Sequence, residues 1–178
     1  MIIEKELYKK IKRDYFFVTG KLNIDSQYYI NEIERGIKLP DNLSFKTNIS
    51  GGMTDWKFFM EDNNFKKIIV NFLNYIDKNF ETIEGFQLED AWGFKMGFGG
   101  RTKNHNHSHF VFSGVIYLNS HNQLLEFDEI GEYVKPEPGR FTLFSSFLKH
   151  GCQHNPTNDI KYGISFNAGH RNFQKSKS

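Results

Sequence analysis

The sequence predicts a mainly β domain, a double-sheet jelly roll with N-terminal helices bracing one of its sheets. Three observations carry this. Residues 65–76 place Phe65, Ile68, Ile69, Phe72, Leu73 and Ile76 at helical spacing. From Phe86 to Asn167 the pattern changes to period two, in short segments punctuated by turn residues. Within that second part, three histidines at alternate positions, His105, His107 and His109, run directly into the strand-forming stretch Phe110 to Leu118.

In order, the first strand candidate is Tyr15-Phe-Phe-Val-Thr19. Ser26 is placed to cap a helix running to Lys38, with Ile30, Ile33 and Ile37 on one face and Pro40 ending it. Residues 41–55, rich in Asn, Ser and Thr with Gly51-Gly52, read as a loop. The strong amphipathic helix starts near Asp62 or Asn63. Phe86, Leu88, Trp92, Phe94, Met96 and Phe98 then alternate with smaller or polar residues in one long strand, with Asp90 the exception on its apolar face. Gly99-Gly100 leads into the histidine strand, where alternation puts His105, His107, His109, Val111, Ser113, Val115 and Tyr117 on one face. Shorter strands follow at 123–127, 131–134, 141–144 and 147–153, with Pro136-Glu-Pro-Gly139 as a tight turn. The last strand, Ile160 to Asn167, sets Lys161, Gly163, Ser165 and Asn167 on its polar face. Residues 1–178 are expected to form one domain: 1–80 a helical and mixed support, 81–170 the β core.

Composition narrows the classes. A 16% aromatic share, with 19 Phe, supplies ample core. Net charge is +2, and Lys and Arg are dispersed apart from a small basic tail, Arg171 to Ser178, so nucleic acid is not indicated as a partner. Cys152 is the only cysteine, which forbids an internal disulfide and fits a reducing compartment. Met1 to Lys12 lacks the apolar run of a secretion signal, and no segment has membrane-spanning length. The expected location is the cytoplasm.

The histidines carry the chemistry. Two imidazoles at i and i+2 at a strand entrance, with His150 far along the chain, describe a mononuclear metal site in a β-barrel. Spacing alone fits His105 with His107 and His107 with His109 equally well, and a solvated strand edge would also give alternate histidines.

Four blocks raise a resemblance: His105-Asn-His107; Ser113-Gly-Val-Ile-Tyr-Leu118; Pro136-Glu-Pro-Gly139 running on to His150; and Lys161-Tyr-Gly-Ile-Ser-Phe-Asn167. In order and spacing they closely resemble the iron(II)/2-oxoglutarate-dependent oxygenases of marine phages and bacteria, over about Trp92 to Asn167. The resemblance implies a cupin-like double-stranded β-helix in a bacterial or phage-infected host. It implies Fe(II), 2-oxoglutarate and O2 as cofactor and co-substrates, and a hydroxylase that couples oxidative decarboxylation of 2-oxoglutarate to oxidation of a small-molecule or peptidyl substrate. His105, His107 and His150 would match the metal ligands, and Lys161 the basic partner of the 2-oxoglutarate C5 carboxylate. Tyr117, on the histidine face, is a plausible second donor to it.

Two positions depart from the wider superfamily. His107 stands where an Asp or Glu is usual, leaving the metal's charge to 2-oxoglutarate or to an acid such as Glu126 or Asp128. Gly163 stands where a serine often follows the basic residue. Two other readings remain at this stage: a cupin-like three-histidine metal protein that does not use 2-oxoglutarate, and a non-catalytic jelly-roll binding module. A basic group deep in the cavity separates the first of these from an oxygenase.

Overall fold

The computed structural model describes residues 14–40, 48–79 and 85–170. Met1 to Lys12, residues 41–47 of the expected loop and the basic tail Arg171 to Ser178 lie outside these. The described chain forms two facing antiparallel sheets with two helices against one of them. The strands are β1 Phe17–Lys21, β2 Ile49–Ser50, β3 Gly52–Met53, β4 Phe86–Met96, β5 Arg101–His105, β6 Phe112–Tyr117, β7 Leu125–Phe127, β8 Glu132–Val134, β9 Arg140–Ser145, β10 His150–Cys152 and β11 Lys161–His170. The six-stranded sheet has the order β1-β9-β6-β11-β4-β3, and the five-stranded sheet β2-β5-β10-β7-β8. This is the jelly roll expected from the sequence. Residues before 80 also add β1 and β3 to one sheet and β2 to the other. Among the described residues, no helix is long and apolar enough to cross a membrane.

Helix α1 spans Ser26–Ile37, but its cap is Asp25, whose carboxylate accepts from the Tyr28 N–H at 3.0 Å. Ser26, the expected cap, is the first helical residue. Helix α2 spans Asn63–Asn79 and buries Phe65, Ile69, Phe72, Leu73 and Ile76, the stripe read from the sequence. Asp62 caps it by accepting from the Phe65 N–H at 2.9 Å. A short 3₁₀ turn, Phe58–Met60, inserts Phe59 between the helices and β4. The helical layer lies directly on the sheet backbone at Gly93, where a Cβ would run into Ile33 Cγ1.

A bulge changes which side of β4 faces what. Asn167 pairs with Asp90, but Ala168 pairs with Leu88, so Glu89 is the extra residue. Phe86 and Leu88 face the helices; beyond the bulge Ala91 and Gly93 do so, and Trp92, Phe94 and Met96 turn toward the opposite sheet. The alternation read as one uninterrupted strand is therefore two half-strands of opposite phase. Asp90 is no exception on an apolar face, because it shares a face with its register partner Asn167, at the edge of the inter-sheet gap. Phe98, expected at the end of this run, lies beyond the strand and is exposed.

Residues 101–119 do not form one strand: β5 ends at His105, β6 starts at Phe112, and they lie in different sheets. The crossover is fixed by backbone bonds that a continuous strand would not make. The His107 N–H donates to Ser146 O at 2.7 Å, the Phe110 N–H to His107 O at 3.0 Å, and the Val111 N–H to Ala168 O at 3.0 Å. The interleaved Asn104, Asn106 and Ser108 are turn formers, and they outweigh the period-two signal. His105 and Val115 therefore face one another across a gap, and His109 and Phe110 leave the core.

Candidate metal centre and cavity

His105 closes β5, His150 opens β10, and the two are register partners. His107 follows on the crossover, held by its N–H bond to Ser146 O. Ring centroids are 4.5 Å apart for His105 and His150, 4.8 Å for His105 and His107, and 5.3 Å for His107 and His150. One nitrogen from each of the three lies within 4.8 Å of the others. A shared metal at about 2.0–2.2 Å needs these atoms closer still, which modest rotation of the rings supplies.

Hydrogen bonds fix which nitrogen is offered. His105 Nδ1–H donates to Lys103 O at 2.8 Å and His150 Nδ1–H to Leu148 O at 3.1 Å, leaving both Nε2 lone pairs free for a cation. Burial keeps the rings neutral. It pushes His107 down to about 3, helped by His105 and His109 nearby, and holds His105 and His150 below the usual imidazole range. Three neutral, desolvated imidazoles, those of His105 and His150 with fixed tautomers, are a metal-ready donor set. His109 is not among them: it is exposed and packs on Phe110, with ring centroids 4.1 Å apart. Glu126 and Asp128 do not approach the three rings. Glu126 accepts from Gln153 Nε2 at 2.8 Å on the outer side of the small sheet, and Asp128 is exposed there.

The three histidines sit at one end of a cavity between the sheets. Its free volume is about 90 Å³, and a single water needs roughly 10–15 Å³ on the same measure. A five-carbon acid is therefore not too large for it. Val115, Phe144, Phe94 and Leu125 supply apolar wall, and no Asp or Glu of the described residues lines it.

At the far end lies Lys161, 1% exposed, its ammonium 5.9 Å from the centre of the Tyr117 ring. Its ammonium donates to Gln123 O at a long 3.5 Å and also meets the Cys152 thiol, and the Gln123 side-chain oxygen is buried with no donor. Desolvation pushes Lys161 below the usual lysine range, the Cys152 thiol partly opposing, while burial pushes the Tyr117 hydroxyl well up. A buried ammonium so weakly satisfied, beside a phenol that stays protonated, is chemically suited to an anion. Gly163 is explained by packing: a Cβ there would come within 2.5 Å of Phe94 Cζ. Phe94 occupies the volume a serine would need.

The open end holds groups that sequence reasoning passed over. Ser113 Oγ–H donates to Asn167 Oδ1 at 2.6 Å, and Asn167 Nδ2–H donates to Asp90 Oδ1 at 2.8 Å. Trp56 and Trp92 meet edge to face, with centroids 4.5 Å apart, and Trp92 lies 6.3 Å from His107. Trp56 was hidden in a segment without periodicity. The Asp90 signal was present, an acid in an apolar alternation, but it needed the bulge to be understood.

No family model matches the sequence, and no curated protein does. Solved structures do match. A viral collagen prolyl hydroxylase of Paramecium bursaria Chlorella virus-1, in complex with 2-oxoglutarate, superposes with a TM-score of 0.67 at 16% identity, over 86% of this chain and 94% of that one. A prolyl-4-hydroxylase of Pseudomonas putida gives 0.65 at 15% identity, over 87% and 92%. HygX of Streptomyces hygroscopicus, with nickel and 2-oxoglutarate bound, gives 0.58 at 10% identity, over 88% and 84%. The chain has the double-stranded β-helix fold that these proteins share.

Proposed function

We propose that the protein is an iron(II)- and 2-oxoglutarate-dependent dioxygenase, a hydroxylase acting on a small-molecule or peptidyl substrate in the cytoplasm of a bacterium or phage-infected host. One observation carries the reading: three neutral histidines converge in a largely apolar cavity whose deep end buries a lysine with no carboxylate partner. His105, His107 and His150 would hold the metal, and Lys161 with the Tyr117 hydroxyl would hold the C5 carboxylate of 2-oxoglutarate. The metal with its 2-oxoglutarate supplies the activation of O2 and the oxidation of substrate.

The chain's own residues do the rest. Lys161 sets the depth and direction of the dicarboxylate through a charge-assisted bond at a position shielded from bulk solvent. Phe94, packed over Gly163, narrows the passage to a slender chain. The carbonyls of Lys103 and Leu148 keep the ligand imidazoles in one tautomer and orientation. With no carboxylate in the cavity wall, the negative charge at the metal comes from 2-oxoglutarate itself, so the two should bind together more tightly than either alone. A cupin-like metal protein of another chemistry has no use for a buried ammonium opposite its metal. The test is turnover: protein reconstituted with Fe(II) should convert 2-oxoglutarate to succinate in the presence of O2, with the half-saturating 2-oxoglutarate concentration raised at least ten-fold in Lys161→Ala. Stoichiometric iron without succinate above the protein-free rate would overturn the reading.

A further inference from the structure

Beside the cavity's open end, outside its lining, stands a carboxylate, Asp90. Asp90 and Asn167 are register partners on neighbouring strands, and Asn167 lines the cavity while donating to the Asp90 carboxylate at 2.8 Å. Trp92 lies two residues further along the same face of β4, about 7 Å on. Trp56 meets Trp92 edge to face and accepts the Ala91 N–H through its carbonyl, which ties the pair to the stretch of β4 that directly follows Asp90. Trp92 also borders His107, which places the group on the substrate side of the metal centre. Lys161 is six residues from Asn167 along β11, about 20 Å away, and cannot serve Asp90.

We propose that this mouth is a subsite for a cationic group of the substrate, a guanidinium or an ammonium, held between the Trp56–Trp92 pair and the Asp90 carboxylate. The proposal deepens the oxygenase reading and rests on it for calling the occupant a substrate. The half-buried Asp90 carboxylate accepts only neutral donors, the side-chain amide and the backbone N–H of Asn167, so its charge is unpaired, and a cation supplies what is missing. Two indoles attract a cation through their π faces, most strongly where water is partly excluded. The Ser113–Asn167–Asp90 chain fixes the carboxylate's position, as a recognition group requires. Glu89 and the exposed His109 are the other titratable groups that bear on Asp90, and no lysine or arginine of the described residues is salt-bridged to it. Desolvation lifts its pKa to about 6, which an arriving cation would reverse.

The chain's two tryptophans are both here, so intrinsic fluorescence reads the subsite directly. The probes are Nα-acetyl-L-arginine methylamide against its citrulline counterpart, and the lysine amide against norleucine, each pair matched in size and differing in charge. At least one cation should perturb the emission saturably and bind ten-fold or more tightly than its neutral match, and Asp90→Asn should erase that preference. Equal affinity within both pairs, or a preference that survives Asp90→Asn, overturns the proposal. Succinate formation reports separately on the oxygenase reading: a cation preference without turnover would leave the subsite standing and remove that reading.

Discussion

The two faces of the six-stranded sheet are built from the same strands and do opposite things. On β11, Ile164 and Ala168 go into the layer beneath the helices, where Ile33, Phe59 and Ile69 are also wholly buried. The alternate residues Lys161, Ser165 and Asn167 go to the cavity, with Gly163 between them. One face is closed, apolar and complementary. The other is equally buried but keeps an ammonium, an amide and empty volume. Burial is common to both, so it does not separate stability from function; satisfaction of the buried groups does.

The contrast is sharpened most by Phe59→Ala. This ring is fully buried between the helices and β4, and its removal should lower unfolding free energy by about 3–5 kcal/mol, measured by chemical denaturation. Iron bound per folded molecule should not change. Loss of iron affinity in the folded variant would mean the helical face tunes the site and the division is false.

Lys161→Met should act in the opposite sense. Replacing a buried, poorly satisfied ammonium by an apolar chain of similar length should raise stability, by about 1–3 kcal/mol. It should weaken 2-oxoglutarate binding roughly 10- to 150-fold, the equivalent of about 1.5–3 kcal/mol for a hydrogen bond to a charged group, by calorimetry under argon. A destabilised variant with unchanged affinity would place Lys161 in the scaffold.

Acid should unfold the metal-free protein early. His107 titrates near 3 folded against 6.5 unfolded, and His105 and His150 are shifted the same way. The unfolded chain therefore binds more protons below 6.5, and stability falls as pH drops from there toward 3. Asp90, raised from 3.8 to about 6, favours the folded state as pH falls through that interval, but it is one group against three. Urea midpoints should decline between pH 7 and 5, and a flat profile would mean that the imidazoles are solvated.

The smallest effect is expected at His109. His109→Ala should bind iron as the wild type does, whereas His107→Ala should lose tight binding and His107→Asp should keep it, because a carboxylate also suits Fe(II). Metal content after anaerobic reconstitution decides this. Iron lost from His109→Ala and kept in His107→Ala would shift the ligand assignment by two residues.

Much of this was legible in the sequence, and the exceptions share a cause. The α2 stripe, the β11 alternation and the nearness of His105, His107 and His150 follow from periodicity and from blocks of residues read in order. The break at 106–111 and the bulge at Glu89 did not, because both are set by pairing with distant backbone, Ser146 and Ala168 in one case and β11 in the other. A period-two run is the same string whether it is one strand, two half-strands of opposite phase, or two strands in different sheets. Trp56 and Asp90 were missed for that reason: the place of Trp56 in the cavity wall and of Asp90 beside Asn167 exists only once register is known.

The central claim is that one cavity joins a three-histidine metal centre to a carboxylate receptor at Lys161. Its most direct test is an anaerobic optical titration with Fe(II) and 2-oxoglutarate. A metal-to-ligand charge-transfer band should appear only when both are present, be lost in His150→Ala, and need at least ten-fold more 2-oxoglutarate in Lys161→Met. Iron bound at one equivalent with no band at saturating 2-oxoglutarate, or a band indifferent to Lys161, would contradict it.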